Sequence, residues 1–107
     1  GNHDPMWDLG DFSVECEFTP EQDQVLLESY FGRPAPAFEV GRMTMHKALC
    51  DLLWALWGLV QHAYKNPAED FWQYGVNRLR RGRSLMKSAH FRESLKAVER
   101  GPDSGQK

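Results

Sequence analysis

Apolar residues recur at spacings of three and four along nearly the whole chain, and no stretch alternates with the period of two that a half-buried strand requires. From Met6 to Glu17, the positions Leu9, Phe12, Val14 and Cys16 make a short helical pattern that Gly10 weakens. The next helix has sharper limits. Thr19 can accept from an orphan amide, Pro20 suits the first helical position and Gln22 completes a capping box. Val25, Leu26, Leu27, Tyr30 and Phe31 form its stripe, and Gly32 can close it in the left-handed conformation. Arg33-Pro34-Ala35-Pro36 then reads as an extended linker, since proline disfavours a helical residue before it. The longest periodic segment runs from Ala37 to about Tyr64, ~40 Å of helix at 1.5 Å per residue. Its second half, Ala48 to Val60, is apolar nearly all round except at Asp51, the pattern of a central, surrounded helix. Asn66-Pro67-Ala68-Glu69 reads as another capping box, opening a helix through Phe71, Tyr74, Leu79 and Met86. Ser88 starts a last amphipathic helix with Phe91, Leu95 and Val98 inward, stopping at Gly101-Pro102. The expected fold is all-α with four to five helices, and a hairpin around Lys65-Asn66-Pro67 sets the Trp-rich helix against its successor. Residues 1–101 are expected to form the helical unit and 102–107 a disordered tail.

Composition supports a packed core. Among 107 residues, 41% are hydrophobic, with four Trp, six Phe and three Tyr, which excludes a disordered chain and suits one small domain. Two cysteines outside any Cys-x-x-Cys pair predict free thiols in a reducing compartment. The longest apolar run, Leu52 to Val60, is nine residues against the ~20 a membrane span needs. The N-terminus lacks the order of a signal peptide. A cytoplasmic protein without a membrane span is therefore expected. Because Gly1 is not a translation start, the chain is expected to be an engineered, processed or fragmentary product. Net charge is −2, but residues 1–39 hold nine acids and one base while residues 40–107 hold six acids and twelve bases. The two parts should attract one another, or present separate faces to cationic and anionic ligands.

Candidate chemistry is concentrated in few places. Trp54 and Trp57 are three apart, so both indoles emerge on one helix face, and Tyr74 lies early on the next helix, able to fold back beside them. Converging rings with a nearby carboxylate can hold a quaternary ammonium, with about 0.5–2 kcal/mol from each ring; from pattern alone, core packing is the commoner role for such residues. Arg78, Arg80, Arg81 and Arg83 crowd one helix and suit phosphate or nucleic acid, but they point round more than one face without aromatic interleaving. A solvated, partly ion-paired surface is expected, with no nucleic-acid partner. Asp4, Asp8, Asp11 and Glu15 would line one helix face, with Glu17 just beyond. That face is either solvated or met by donors from another segment. His46 and Cys50 are four apart but lack further ligands, so no metal is assigned. No glycine-rich phosphate loop, nucleophile elbow or Cys/His nucleophile pair is present.

Two stretches together resemble the choline/ethanolamine kinase and aminoglycoside phosphotransferase superfamily, in particular bacterial choline-kinase-like proteins. Residues 2–15, Asn-His-Asp-Pro-Met-Trp-Asp-Leu-Gly-Asp-Phe-Ser-Val-Glu, resemble the segment just after that family's metal-binding Asp-Phe/Trp-Glu motif. Residues 53–61, Leu-Trp-Ala-Leu-Trp-Gly-Leu-Val-Gln, followed by Tyr74, are similar to the Trp-x-x-Trp helix and the next aromatic helix of the choline-binding lobe. The resemblance implies that Asp8 is a structural acid heading a helix and accepting backbone hydrogen bonds from the catalytic loop. It implies that Glu15 is the acid of the amine pocket and that Trp54, Trp57 and Tyr74 are its aromatic walls. One position departs: where eukaryotic choline kinases carry a pocket tyrosine shortly after the glutamate, this chain has Pro20, with Phe18 the nearest aromatic.

The lysine, catalytic Asp and Mg²⁺ ligands that phosphoryl transfer needs lie upstream of the matching segment in that family and are not located here. The resemblance thus implies the C-terminal helical part of an ATP- and Mg²⁺-dependent phosphotransferase for choline or a related small cationic alcohol. Such a part would be inactive alone, with no catalytic residue or bound cofactor of its own, and would be completed by a missing N-terminal kinase lobe or a self-association partner. Two alternatives stand beside it. One is a free-standing helical binding module using the Arg-rich helix; the other is a purely structural fragment whose Trp residues pack against each other.

Overall fold

α1 (Pro5–Glu15), α2 (Pro20–Phe31), α3 (Ala37–Ala63), α4 (Phe71–Met86) and α5 (Ala89–Arg100) follow in order. They belong to a computed structural model that describes residues 5–102. Among the described residues there is no strand, so the all-α expectation holds. The expectations for Asp4 and for a disordered tail fall largely outside the described residues. The 27 residues of α3 run ~40 Å at helical rise and give the molecule its long axis of 53 Å. α1, α4 and α5 all pack on α3, whereas α2 touches its neighbours sparingly.

The caps explain most boundaries. Thr19 and Gln22 form the capping box, Pro20 sits in the first turn, and Gly32 closes α2 at φ 70°. Ser88 caps α5 by accepting from the Phe91 amide. The expected cap at Asn66 is corrected: Asn66 Oδ1 accepts from the Ala68 amide, closing a local turn, and Asp70 caps α4 through the Gln73 amide. An Asx turn competes with a helix start wherever the chain must still reverse direction. Lys65, at φ 58°, makes that reversal.

Close backbone approach decides which faces are buried. A Cβ on Gly41 would lie 2.6 Å from the Ser94 carbonyl oxygen and 3.0 Å from Val98, so α5 lies against α3 at that point. This corrects the expected inward face of α5. Ser94 and Ala97 are buried, Phe91 and Val98 are half-buried, and Leu95 faces out. Small residues let the helix backbones meet, and the larger leucine is carried off the contact. Gly58 and Gly75 do the same between α3 and α4: a Cβ on Gly58 would meet Tyr74 at 2.7 Å and the Gly75 backbone at 3.1 Å. Gly10 of α1 lies close against His46 in the same way.

The second half of α3 is not surrounded as its composition predicts. Ala48, Cys50, Asp51, Ala55 and Gly58 are buried, but Leu49, Leu53, Leu56 and Val60 on the opposite side are exposed. Among the described residues, the packing partners lie on one side.

Met6, Leu9, Leu27 and Met43 make a core where α1, α2 and α3 meet. Beside it Asp23 and Lys47 are buried together. Lys47 Nζ donates to Asp23 Oδ2 at 2.6 Å and to the Phe18 carbonyl oxygen at 3.2 Å, and Ser13 Oγ donates to Asp23 Oδ1.

Cys50 is fully buried and Cys16 exposed. Burial, reinforced by the charges of Asp11 and Asp51, pushes the Cys50 thiol up to about 11. Its folded value lies above its unfolded one, so the associated stability is intact below the unfolded value and is lost as pH rises through the folded one. With a thiol reagent near neutral pH, one cysteine per native chain is expected to react, and a second only in denaturant. Two fast-reacting thiols in the native chain would contradict this burial.

Candidate functional site

Three helices contribute to one face. α3 carries Trp54 and Trp57 on adjacent turns, α4 carries Phe71, Tyr74 and Arg78, and the end of α1 brings Asp11 and Glu15. The Gly58–Gly75 contact brings α3 and α4 close enough for ring-to-ring packing. Trp57 stands edge-on to three rings, with centroids 5.6 Å from Trp54, 5.3 Å from Phe71 and 5.8 Å from Tyr74. Phe71 is buried, but Trp54 and Trp57 remain 38% and 41% exposed. The indoles are therefore not simply core. They present a partly open aromatic surface of the kind that attracts a cation.

Asp11 and Glu15 of α1 are met by donors from other helices while Asp8 is exposed, so that face is partly paired and partly solvated. Trp54 Nε1 donates to Asp11 Oδ1 at 3.4 Å. Arg78 Nη2 donates to Glu15 Oε1 at 3.0 Å, and its Cζ lies 5.9 Å from the Tyr74 ring centroid. Asp8 is exposed on α1. The structure therefore brings Glu15, Trp54, Trp57 and Tyr74 into one continuous set of contacts, linked through Arg78.

Arg78 corrects the expected solvated arginine face. Its side chain is buried, and Nε lies 2.9 Å from Asp51 Oδ1. The two atoms face each other as ions without the alignment of a hydrogen bond. Arg81 Nε is 3.8 Å from the same oxygen, and its Nη2 donates to the Val14 carbonyl oxygen at 2.6 Å, a cation placed on the carbonyl end of α1. Only Arg80 and Arg83 of the four keep the expected exposure.

Burial raises the Asp51 carboxyl above its ordinary value against the opposing pull of Arg81 and Arg78. For Arg78 burial pulls downward, but the hydrogen bond with Glu15 and the charges of Asp51 and Glu15 outweigh it and leave the guanidinium raised. It stays a cation at any working pH. Burial also raises the Tyr74 hydroxyl, which Arg78 opposes and Glu15 reinforces.

Sequence reasoning named Arg78 and Asp51 but not their pairing. The available signal was one acid in an otherwise apolar helix, which has to find a cation if it is buried. His46 packs edge-on to Trp7 at 5.9 Å. Among the described residues no group of three His, Cys, Asp or Glu side chains is placed to hold a metal ion.

No family model matches the chain, and no curated protein matches it significantly. Among solved structures, the chain is similar to a choline/ethanolamine kinase family protein from Mesorhizobium loti. They share 49% sequence identity with a TM-score of 0.88 over 92% of this chain. The match spans 33% of the length of that protein.

Proposed function

Taking as premise that the chain corresponds to one third of a choline/ethanolamine kinase family protein, we propose that it is the C-terminal, acceptor-binding helical part of an ATP-dependent phosphotransferase acting on choline or a related amino alcohol. Glu15 supplies the negative charge of the amine site, Trp54, Trp57 and Tyr74 supply its aromatic walls, and Asp8 keeps a structural role at the head of α1. The observation that carries the reading is the convergence of these rings with a carboxylate from α1 on one partly exposed face. A cationic headgroup fits that face because ring quadrupoles and a carboxylate favour positive charge without demanding a hydrogen-bond donor from the ligand. ATP and Mg²⁺ belong to the remaining part of the protein. No step through either is assigned to this chain. Its own residues bind and orient the amine.

Millimolar choline and tetramethylammonium are expected to change the tryptophan emission of the chain saturably, while glycerol at equal concentration leaves it unaltered. The chain alone is expected to transfer no phosphate from ATP to choline. Emission indifferent to both cations, or phosphorylation by the purified chain, would count against the proposal.

A second reading, a free-standing helical interaction module, is favoured by the bare apolar side of α3 at Leu49, Leu53, Leu56 and Val60. It predicts a binding partner whose affinity is insensitive to choline.

A further inference from the structure

Asp51 and Arg78 sit beneath the aromatic face with side chains 5% and 6% exposed. Glu15, the acid they lead to, has a side chain 49% exposed. A half-exposed glutamate on the last turn of a helix ordinarily samples several rotamers, and a carboxylate that wanders makes a poor anchor for a cation. Here a buried cation meets it from below. Arg78 Nε faces Asp51 Oδ1 at 2.9 Å, Nη2 donates to Glu15 Oε1 at 3.0 Å, and the Tyr74 ring lies 5.9 Å from Cζ. Nε and Oδ1 are not aligned as a hydrogen bond, so Asp51 acts as a buried counter-charge that keeps the guanidinium in place, and the planar, rigid group carries Nη2 to Glu15.

We propose that the buried Asp51–Arg78 pair is the positioning device of the amine site: Asp51 anchors the guanidinium by its charge, and the guanidinium holds Glu15 Oε1, leaving the other oxygen to meet a cation beside the rings. Neither Asp51 nor Arg78 touches the amine. The purpose of the device rests on the amine-site reading of the preceding section, whereas the holding of Glu15 does not. Stability alone is a weak reason for a buried ion pair, since apolar residues of similar volume often serve as well. Conformational control of an exposed acid is something an apolar replacement could not supply.

Arg78→Met alone would strand a buried Asp51, so the test uses the double variant Asp51→Asn/Arg78→Met, with Arg78→Lys as the conservative change. Two readouts are needed. Three-bond NMR couplings about the Glu15 Cα–Cβ bond report its rotamer, with helical content followed by circular dichroism. Tryptophan fluorescence reports tetramethylammonium affinity. In the unaltered chain Glu15 is expected in one rotamer. In the double variant it averages over several with helicity unchanged, and tetramethylammonium binds at least about tenfold more weakly, equivalent to ~1.4 kcal/mol. Arg78→Lys falls between the two, and it decides by the same readouts if the double variant does not fold. Rotamer averaging in the unaltered chain overturns the proposal, as does a fixed Glu15 in the double variant. Equal tetramethylammonium affinity despite a released Glu15 also overturns it. If the unaltered chain binds no tetramethylammonium, the amine reading fails, and the rotamer result alone decides whether the pair positions Glu15.

Discussion

Lys47→Met is expected to destabilise the chain by about 3–5 kcal/mol, the cost of leaving a buried acid without its cation, read as a lower midpoint in urea followed by helical circular dichroism. Asp23 is 2% exposed, and its two oxygens are taken by Lys47 and Ser13. Removing the ammonium leaves a carboxylate that must either stay charged in an apolar site or take up a proton. A chain of this size has ~5–15 kcal/mol of stability in all, so the loss is a large fraction of the total. The effect should also be localised. α2 makes few contacts, and besides the apolar packing of Leu26, Leu27 and Phe31 its hold on the rest is this ion pair. Amide exchange in α2 is expected to accelerate before that of α3 and α4. Replacing both partners with apolar residues should recover part of the loss. A cost below ~1 kcal/mol for Lys47→Met would mean that the pair is solvated, as surface pairs are.

Trp57→Ala is expected to have the largest effect on the proposed amine site. Trp57 is the shared neighbour of Trp54, Phe71 and Tyr74, so its loss removes one ring from the cation's surroundings and unpins the others. With ~0.5–2 kcal/mol from the ring itself, choline affinity should fall about tenfold. The folding cost should be smaller than the ~3–5 kcal/mol of a fully buried Trp, because 41% of this residue is already exposed. Trp57→Phe should restore part of the affinity. An unchanged choline titration in a folded Trp57→Ala chain would remove the rings from the proposed site.

What could be read from residues alone was what depends on neighbours in sequence. Thr19 and Gln22 act three positions apart and Gly32 closes the other end through the Glu28 carbonyl four positions earlier, and the structure places all three where helix-capping chemistry requires. Asp70 escaped notice because Asn66 offers the same chemistry four residues earlier, and only the direction of the turn decides between them. The apolar pattern places Leu95 inward because it is large and apolar. Its actual place follows from how closely α5 approaches Gly41, a distance that no local pattern encodes. The Asp23–Lys47 pair spans 24 positions and the Arg78–Glu15 pair 63, so both become visible only when the helices are assembled. For the candidate site the rings and acids were legible as types and spacings, and the resemblance grouped them. The buried support beneath Glu15 was not legible, since a run of arginines on a helix gives no sign of which one turns inward.

The contact between Gly58 and Gly75 also bears on how this site could change over evolutionary time. Trp57 and Tyr74 each sit one position before one of these glycines, so the span between the aromatic walls is set by two residues that have no side chains. Replacing either with alanine forces the helices apart or displaces Tyr74 and Leu59, widening or tilting the gap while every ring remains in place. If the proposed amine site is correct, the shortest route to accepting a bulkier amine runs through this backbone spacing rather than through the aromatic residues.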